Sequence, residues 1–152
     1  MDSALLDKLK LDSRRAASVV AYALARIDSK EALSAFGYEK LEVLFADLGE
    51  KFNEKPDTIK LDRDHFDRLF SQNNRKGFKD KKEDQWNPSW LPEIHDILKD
   101  ISTDAIIAFS KKLKEWLWLE DLEEVKEKCQ KDLESINWER AEYRLPDSVK
   151  KD

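Results

Sequence analysis

The stretch RRAASVVAYALARI, residues 14–27, decides the fold class of this chain. Its large apolar residues Val20, Leu24 and Ile27 follow one another at steps of four and three, which is the period of an amphipathic helix. Five alanines keep the helix narrow, so that neighbouring helices can approach it closely. We therefore expect a helix that is capped near Asp12-Ser13 and lies at the centre of a bundle.

The same period appears on both sides of this stretch. Upstream, Ser3 is a suitable N-cap for a first helix. Downstream, Asp28-Ser29 predicts another helix start, and Gly37 predicts a helix end. A further helix is expected from about Tyr38 to Phe52, because its apolar residues again recur at steps of three and four.

The second half of the chain continues the helical pattern after two interruptions. A loop is expected around Pro56, because proline cannot continue a helix. Asp62 is then predicted to cap a short helix that ends near Ser71. After an irregular stretch, helical order is expected to resume at Glu93 and to end at Pro146.

Composition agrees with this pattern. The chain has 152 residues, of which 40% are hydrophobic and only 3 are glycine, so tight turns are few. We predict an all-α bundle of five to seven helices with one long irregular basic loop, residues 72–92. A single domain over residues 1–152 is expected; the alternative is two lobes, 1–71 and 93–146, joined by that loop.

Other features bear on the compartment. One cysteine excludes an internal disulfide, and no apolar run approaches the length of a membrane-spanning helix. The first residues, MDSALLDKLKLDSRR, lack the apolar region of a signal peptide. We therefore expect a cytoplasmic protein with no membrane partner.

Positive charge is concentrated in one segment of this acidic chain. The net charge is −5, yet residues 74–82, NRKGFKDKK, hold five Lys or Arg against one Asp. Phe78 interrupts this segment, and Trp86 and Trp90 follow it. Cations can follow a phosphate backbone, and exposed aromatic rings can stack on bases. The alternative is a solvated charged loop whose tryptophans pack on the bundle.

Two sets of candidate binding residues follow. Arginines on a helix can hold phosphates by bidentate hydrogen bonds, although on a surface they often serve only as solubilising charges. The chain has 5 tryptophans, more than a small core needs, so some are expected at interfaces. The predicted nucleic-acid-binding residues are Arg14, Arg15, Arg26, Arg75, Lys76, Lys79, Lys81 and Lys82. The predicted partner-binding residues are Phe78, Trp86, Trp90 and Trp118.

Catalytic signatures are weak. Asp62, Asp64, His65 and His95 could together hold a divalent metal for phosphoester hydrolysis, which defines one alternative hypothesis. A phosphohydrolase of the HD type would need more histidines than the 2 present. Acidic residues in the first turn of a helix also complement its dipole without any catalytic role. We expect no enzymatic activity, no cofactor and no bound metal.

The helix RRAASVVAYALARI, together with the size and helical character of the chain, resembles the small subunits of CRISPR effector complexes of the Cascade type. That resemblance implies a non-catalytic subunit that stacks along the complex in antiviral defence. It also implies that Lys and Arg residues hold the guide–target duplex or the displaced strand, RNA or DNA, independently of base sequence. The net charge of −5 departs from the basic balance that such a role favours.

Two hypotheses of different class therefore lead. The first is a helical ribonucleoprotein subunit that contacts nucleic acid through Lys and Arg and neighbouring subunits through apolar and tryptophan surfaces. The second is a protein–protein adaptor that binds no nucleic acid.

Overall fold

The computed structural model describes residues 7–70, 86, 88–115 and 127. Every regular element with defined bounds in these residues is an α-helix, so the predicted all-α bundle is confirmed. The helices are α1 (Ser13–Ala25), α2 (Ser29–Phe36), α3 (Leu41–Phe52), α4 (Pro56–Asp67), α5 (Leu91–Leu98) and α6 (Thr103–Glu115).

Helix α1 is the central helix. All residues from Ala16 to Ala25 are buried, and α1 packs against α3, α4, α5 and α6. Its start is set by Asp12, whose Oδ1 accepts a hydrogen bond from the Arg15 backbone N–H at 2.8 Å. A helix that is buried all round needs small residues on several faces, and its alanines provide them. The central position predicted for this helix is confirmed.

Local capping chemistry sets the ends of α2 and the start of α6. Asp28 Oδ1 accepts from the Glu31 N–H at 2.8 Å, and Gly37 ends the helix with φ at 79°. Ser102 Oγ accepts from the Ala105 N–H at 3.1 Å, which caps α6. The start at Asp28 and the end at Gly37 match the predicted positions.

The prediction that Asp62 caps a short helix is wrong. Pro56 already opens α4, because proline fits the first turn, where its missing N–H costs no hydrogen bond. Asp62 therefore lies in the middle of α4 and is buried. Two other starts differ less: α3 begins at Leu41 instead of Tyr38, and α5 begins at Leu91 instead of Glu93.

Helices from both sides of residues 71–85 contribute to one hydrophobic core. Leu24 of α1, Phe66 of α4, Leu98 of α5 and Phe109 of α6 all belong to it. No helix in the described part of the chain is long and apolar enough to cross a membrane. Residues 7–9 are helical, as predicted for the first helix, but its predicted start at Ser3 lies outside the described residues. Most of the predicted irregular loop and nearly all of the helical pattern beyond residue 115 also lie outside them.

Candidate nucleic-acid interface

The structure places Arg15, near the start of α1, against Trp90, the residue that precedes α5. The Arg15 Cζ atom lies over the Trp90 ring at 4.6 Å from its centroid. The Arg15 side chain is 21% exposed, and its Nη1 is 3.8 Å from Oε2 of the exposed Glu93. This geometry holds a partly exposed arginine side chain on an aromatic ring. Two residues that the sequence predicted separately, one for nucleic acid and one for partners, are thus in contact.

Arg14 is also near Trp90, with its Cζ atom 5.4 Å from the ring centroid, but its donors are engaged elsewhere. Both of its terminal nitrogens donate to the buried carboxylate of Asp62, one of them at 3.0 Å, which is a bidentate pair. Ser18 Oγ also donates to Asp62, at 2.6 Å. Burial acts to lower the pKa of Arg14, but the hydrogen bond and charge of Asp62 raise it above its ordinary value. Arg14 is therefore a charged structural residue.

Arg26 does not present its guanidinium to solvent, because the residue is only 6% exposed. Its Nη1 donates to the Ile101 carbonyl at 2.7 Å. Its Nη2 donates to the carbonyls of Leu98 and Lys99, at 3.0 and 3.1 Å. These carbonyls end α5, where a cation is favourable because of the helix dipole. The expectation of a phosphate contact at Arg26 is corrected accordingly: the residue fastens α5 to α1.

Trp86 forms a second aromatic–cation contact, at the end of α4. The Arg68 Cζ atom lies 4.0 Å from the Trp86 ring centroid. The His65 ring stacks on Trp86 with centroids 6.0 Å apart, and Phe66 lies on it at 5.9 Å. Trp86 and Trp90 are both half-buried against the core, so each ring has contacts within this chain. Their role towards partners stays a prediction.

Several predicted binding residues lie outside the part of the chain that the structure describes. These are Arg75, Lys76, Phe78, Lys79, Lys81, Lys82 and Trp118. The described residues nearest to the basic segment 74–82 are Phe70 before it and Trp86 after it.

The side chains of the alternative metal hypothesis have other partners. Asp62 is paired with Arg14, Asp64 Oδ1 accepts from Arg63 at 3.1 Å, and His95 Nδ1 is 2.9 Å from the Tyr22 hydroxyl. Over residues 7–70, 86, 88–115 and 127, no group of three or more His, Cys, Asp or Glu side chains could hold a metal ion. The structure does not assemble the proposed ligand set there.

Two residues at these contacts were not predicted from the sequence. Glu93 places a carboxylate beside Arg15, and Arg68 covers Trp86. Both contacts join segments that are far apart in the chain, so no local spacing could have indicated them. The high number of tryptophans in the sequence indicated that some of their rings form contacts. It did not indicate which arginines lie on them.

The arrangement can therefore offer an anchored guanidinium to an anion, beside a carboxylate that competes for it. The chain matches no family model, no curated protein and no solved structure.

Proposed function

We propose that this chain is a non-catalytic helical subunit of a cytoplasmic ribonucleoprotein complex, which binds the nucleic-acid backbone through Arg15 and the basic segment 74–82. The observation that carries the proposal is the position of Arg15 over Trp90, with 21% of its side chain exposed to solvent. In the sequence, Trp86 and Trp90 follow the basic segment closely.

Stacking prepares Arg15 for a phosphate. An aromatic ring contacts the face of a guanidinium, and the N–H donors lie in the guanidinium plane, where a phosphate can accept two of them. Among the described residues, no acceptor forms a hydrogen bond with the Arg15 guanidinium, and the nearest acid, Glu93, is 3.8 Å away. Because the ring restricts the side chain beforehand, less conformational entropy is lost when a phosphate binds.

The mechanism is phosphate neutralisation without base readout. Residues 74–82 supply a local excess of positive charge in a chain whose net charge is −5. Binding of this kind releases counterions, so affinity should fall steeply as salt increases. Because the rest of the chain is acidic, we expect binding to be restricted to Arg15 and the basic segment.

The test compares two charge reversals of equal size. Arg15→Glu changes the proposed contact, whereas Lys60→Glu changes an exposed lysine that lines the groove between α3 and α4. Fluorescence anisotropy with labelled single-stranded and duplex RNA and DNA, at several salt concentrations, should show about a tenfold loss for Arg15→Glu. Lys60→Glu should bind nearly as the wild type does. Equal binding by both variants would refute the proposed contact.

A second variant tests the basic segment separately. Reversal of charge at Arg75, Lys76 and Lys79 should weaken binding further and reduce the slope of log affinity against log salt by about 2–3. Circular dichroism would verify that the helical content of the variant is unchanged. Full binding by a folded variant would remove this segment from the interface.

The type of complex is the finer part of the proposal. Only the resemblance of RRAASVVAYALARI and of the size of the chain supports a CRISPR effector complex. The adaptor hypothesis has one structural observation in its favour, because Val43 and Leu61 are exposed apolar residues on α3 and α4. An adaptor would bind its protein partner equally well with Arg15→Glu, whereas the ribonucleoprotein subunit would lose its nucleic acid.

A further inference from the structure

The contact between Tyr22 and His95 links the central helix to α5. Tyr22 is fully buried on α1, and its hydroxyl oxygen is 2.9 Å from Nδ1 of His95. Arg26 Nη2 donates to the same hydroxyl oxygen at 3.2 Å. The rings of Tyr22 and His95 are 5.7 Å apart, and Phe70 packs edge-on against both.

This geometry assigns the protonation state of His95. A guanidinium can only donate, so the Tyr22 oxygen accepts from Arg26 and its own hydrogen is available for another acceptor. With His95 Nδ1 as that acceptor, the imidazole is neutral and carries its proton on Nε2.

The charged groups around His95 act in both directions on its affinity for a second proton. From α1 the positive Arg26 opposes it, and on α5 itself Lys99 acts in the same direction, whereas Asp96 favours the proton. Phe70, from the segment after α4, contributes an uncharged ring. Burial is the largest influence and lowers the pKa of His95 below its ordinary value.

We propose that the Tyr22–His95 hydrogen bond is a proton-sensitive clasp, which holds α5 against α1 and loosens when His95 takes up a proton. Protonation of Nδ1 would remove the lone pair to which the Tyr22 hydroxyl donates, and it would place a second cation beside Arg26. We expect the packing of α5 on α1 to be weakened, because both contacts involved are on α5. His95 lies within that helix, and Arg26 donates to the Leu98 carbonyl at its end.

The direction of the pH dependence follows from the lowered pKa of His95. The unfolded chain binds this proton at about pH 6.5, whereas the folded chain binds it only at lower pH. The stabilisation by the clasp is therefore complete above about pH 6.5 and decreases as the pH falls below that value towards the folded-state pKa.

The clasp also bears on nucleic-acid binding, and this consequence rests on the proposed function. Trp90 precedes α5, so loosening of α5 would disturb the contact between Trp90 and Arg15. Protonation alone adds positive charge and would strengthen phosphate binding, whereas the clasp predicts weaker binding in acid. A non-titrating His95→Asn variant, which keeps an acceptor near the position of Nδ1, should lack this weakening.

The deciding experiment needs no nucleic acid, so its failure is distinct from failure of the proposed function. NMR of the imidazole nitrogens in the wild-type chain reports the tautomer and pKa of each histidine. The chain has only 2 histidines, and a His65→Gln variant assigns the signals. We expect His95 to carry its proton on Nε2 at pH 7.5 and to titrate below about pH 6.5.

Amide hydrogen exchange then measures the loosening of α5. After correction for the intrinsic effect of pH on exchange, protection of α5 should fall about threefold to tenfold more than that of α3 between pH 7.5 and 5.0. In His95→Asn the two helices should respond alike. A proton on Nδ1 at pH 7.5, or equal changes for α5 and α3 in the wild type, would overturn the proposal.

Discussion

Arg14 and Arg15 are consecutive residues in the first turn of α1, yet their surroundings give them different roles. Arg14 forms a bidentate pair with the buried Asp62, whereas Arg15 lies on Trp90 and has a looser ion pair with Glu93, at 3.8 Å. One step along a helix turns a side chain by about 100°, which is enough to direct one arginine to α4 and the other to the edge of α5. Two consecutive residues are therefore assigned different roles: Arg14 stabilises the fold, and Arg15 is the residue that we propose for binding.

This difference predicts unequal effects on stability. Arg14→Ala would leave the Asp62 carboxylate buried without its counter-ion, and we expect a loss of about 2–3 kcal/mol in the free energy of unfolding. That value is below the range for fully buried pairs because Arg14 is 26% exposed. Arg15→Ala should cost less than about 1 kcal/mol. Urea unfolding of both variants checks this order, and equal losses would contradict it.

Glu93 provides a second test at the scale of single residues. Its carboxylate lies 3.8 Å from Arg15 Nη1 and therefore competes with a phosphate for the same guanidinium. Glu93→Gln should raise nucleic-acid affinity about twofold to fivefold at low salt. Anisotropy measurements would show this rise, with Glu50→Gln on the exposed surface of α3 as the matched control. Unchanged affinity in Glu93→Gln would mean that Arg15 does not contact the ligand.

At the scale of helices, the sequence predicted those helix ends that are set by residues close to them in the chain. Asp12, Asp28 and Gly37 act within a few residues of their position in the chain, so their roles are visible in a short window. Asp62 has the same appearance as a cap, but its partner Arg14 is far away in sequence. A local pattern could not distinguish the two roles, and for this reason the prediction failed there.

The turn between α3 and α4 makes a specific prediction about glycine. A Cβ atom on Gly49 would lie 2.6 Å from the Glu54 carbonyl oxygen, a backbone atom that cannot move without displacing the turn. Gly49→Ala should therefore reduce the free energy of unfolding by about 1–3 kcal/mol.

Gly37 is the matched control for that variant. Its φ of 79° strains any other residue, but a Cβ atom there meets nothing within 4 Å. Gly37→Ala should cost about 1 kcal/mol, and Gly37→Asn less, because asparagine tolerates this conformation. Thermal unfolding of the three variants measures the order of their stabilities. A Gly49→Ala variant as stable as wild type would refute the close contact between position 49 and the Glu54 carbonyl oxygen.

At the scale of the whole molecule, the central position of α1 connects the core to the proposed interface. The small residues of α1 let four helices pack around it, and the arginines at its two ends reach different partners. The sequence predicted the helix and its position because both depend on periodicity and side-chain size. It could not predict that Trp90 would cover Arg15 or that Arg26 would be buried, because these contacts depend on how distant helices pack.

We propose that the folded chain holds nucleic acid through Arg15, whose side chain is 21% exposed, on a mainly acidic molecule. The most direct measurement is the nucleic acid that co-purifies with the tagged chain from its native cells, for wild type, Arg15→Glu and Lys60→Glu. We predict that RNA or DNA accompanies wild type and Lys60→Glu, is removed by high salt, and is strongly reduced with Arg15→Glu. Equal recovery with both variants, or none above an untagged background, would contradict the account.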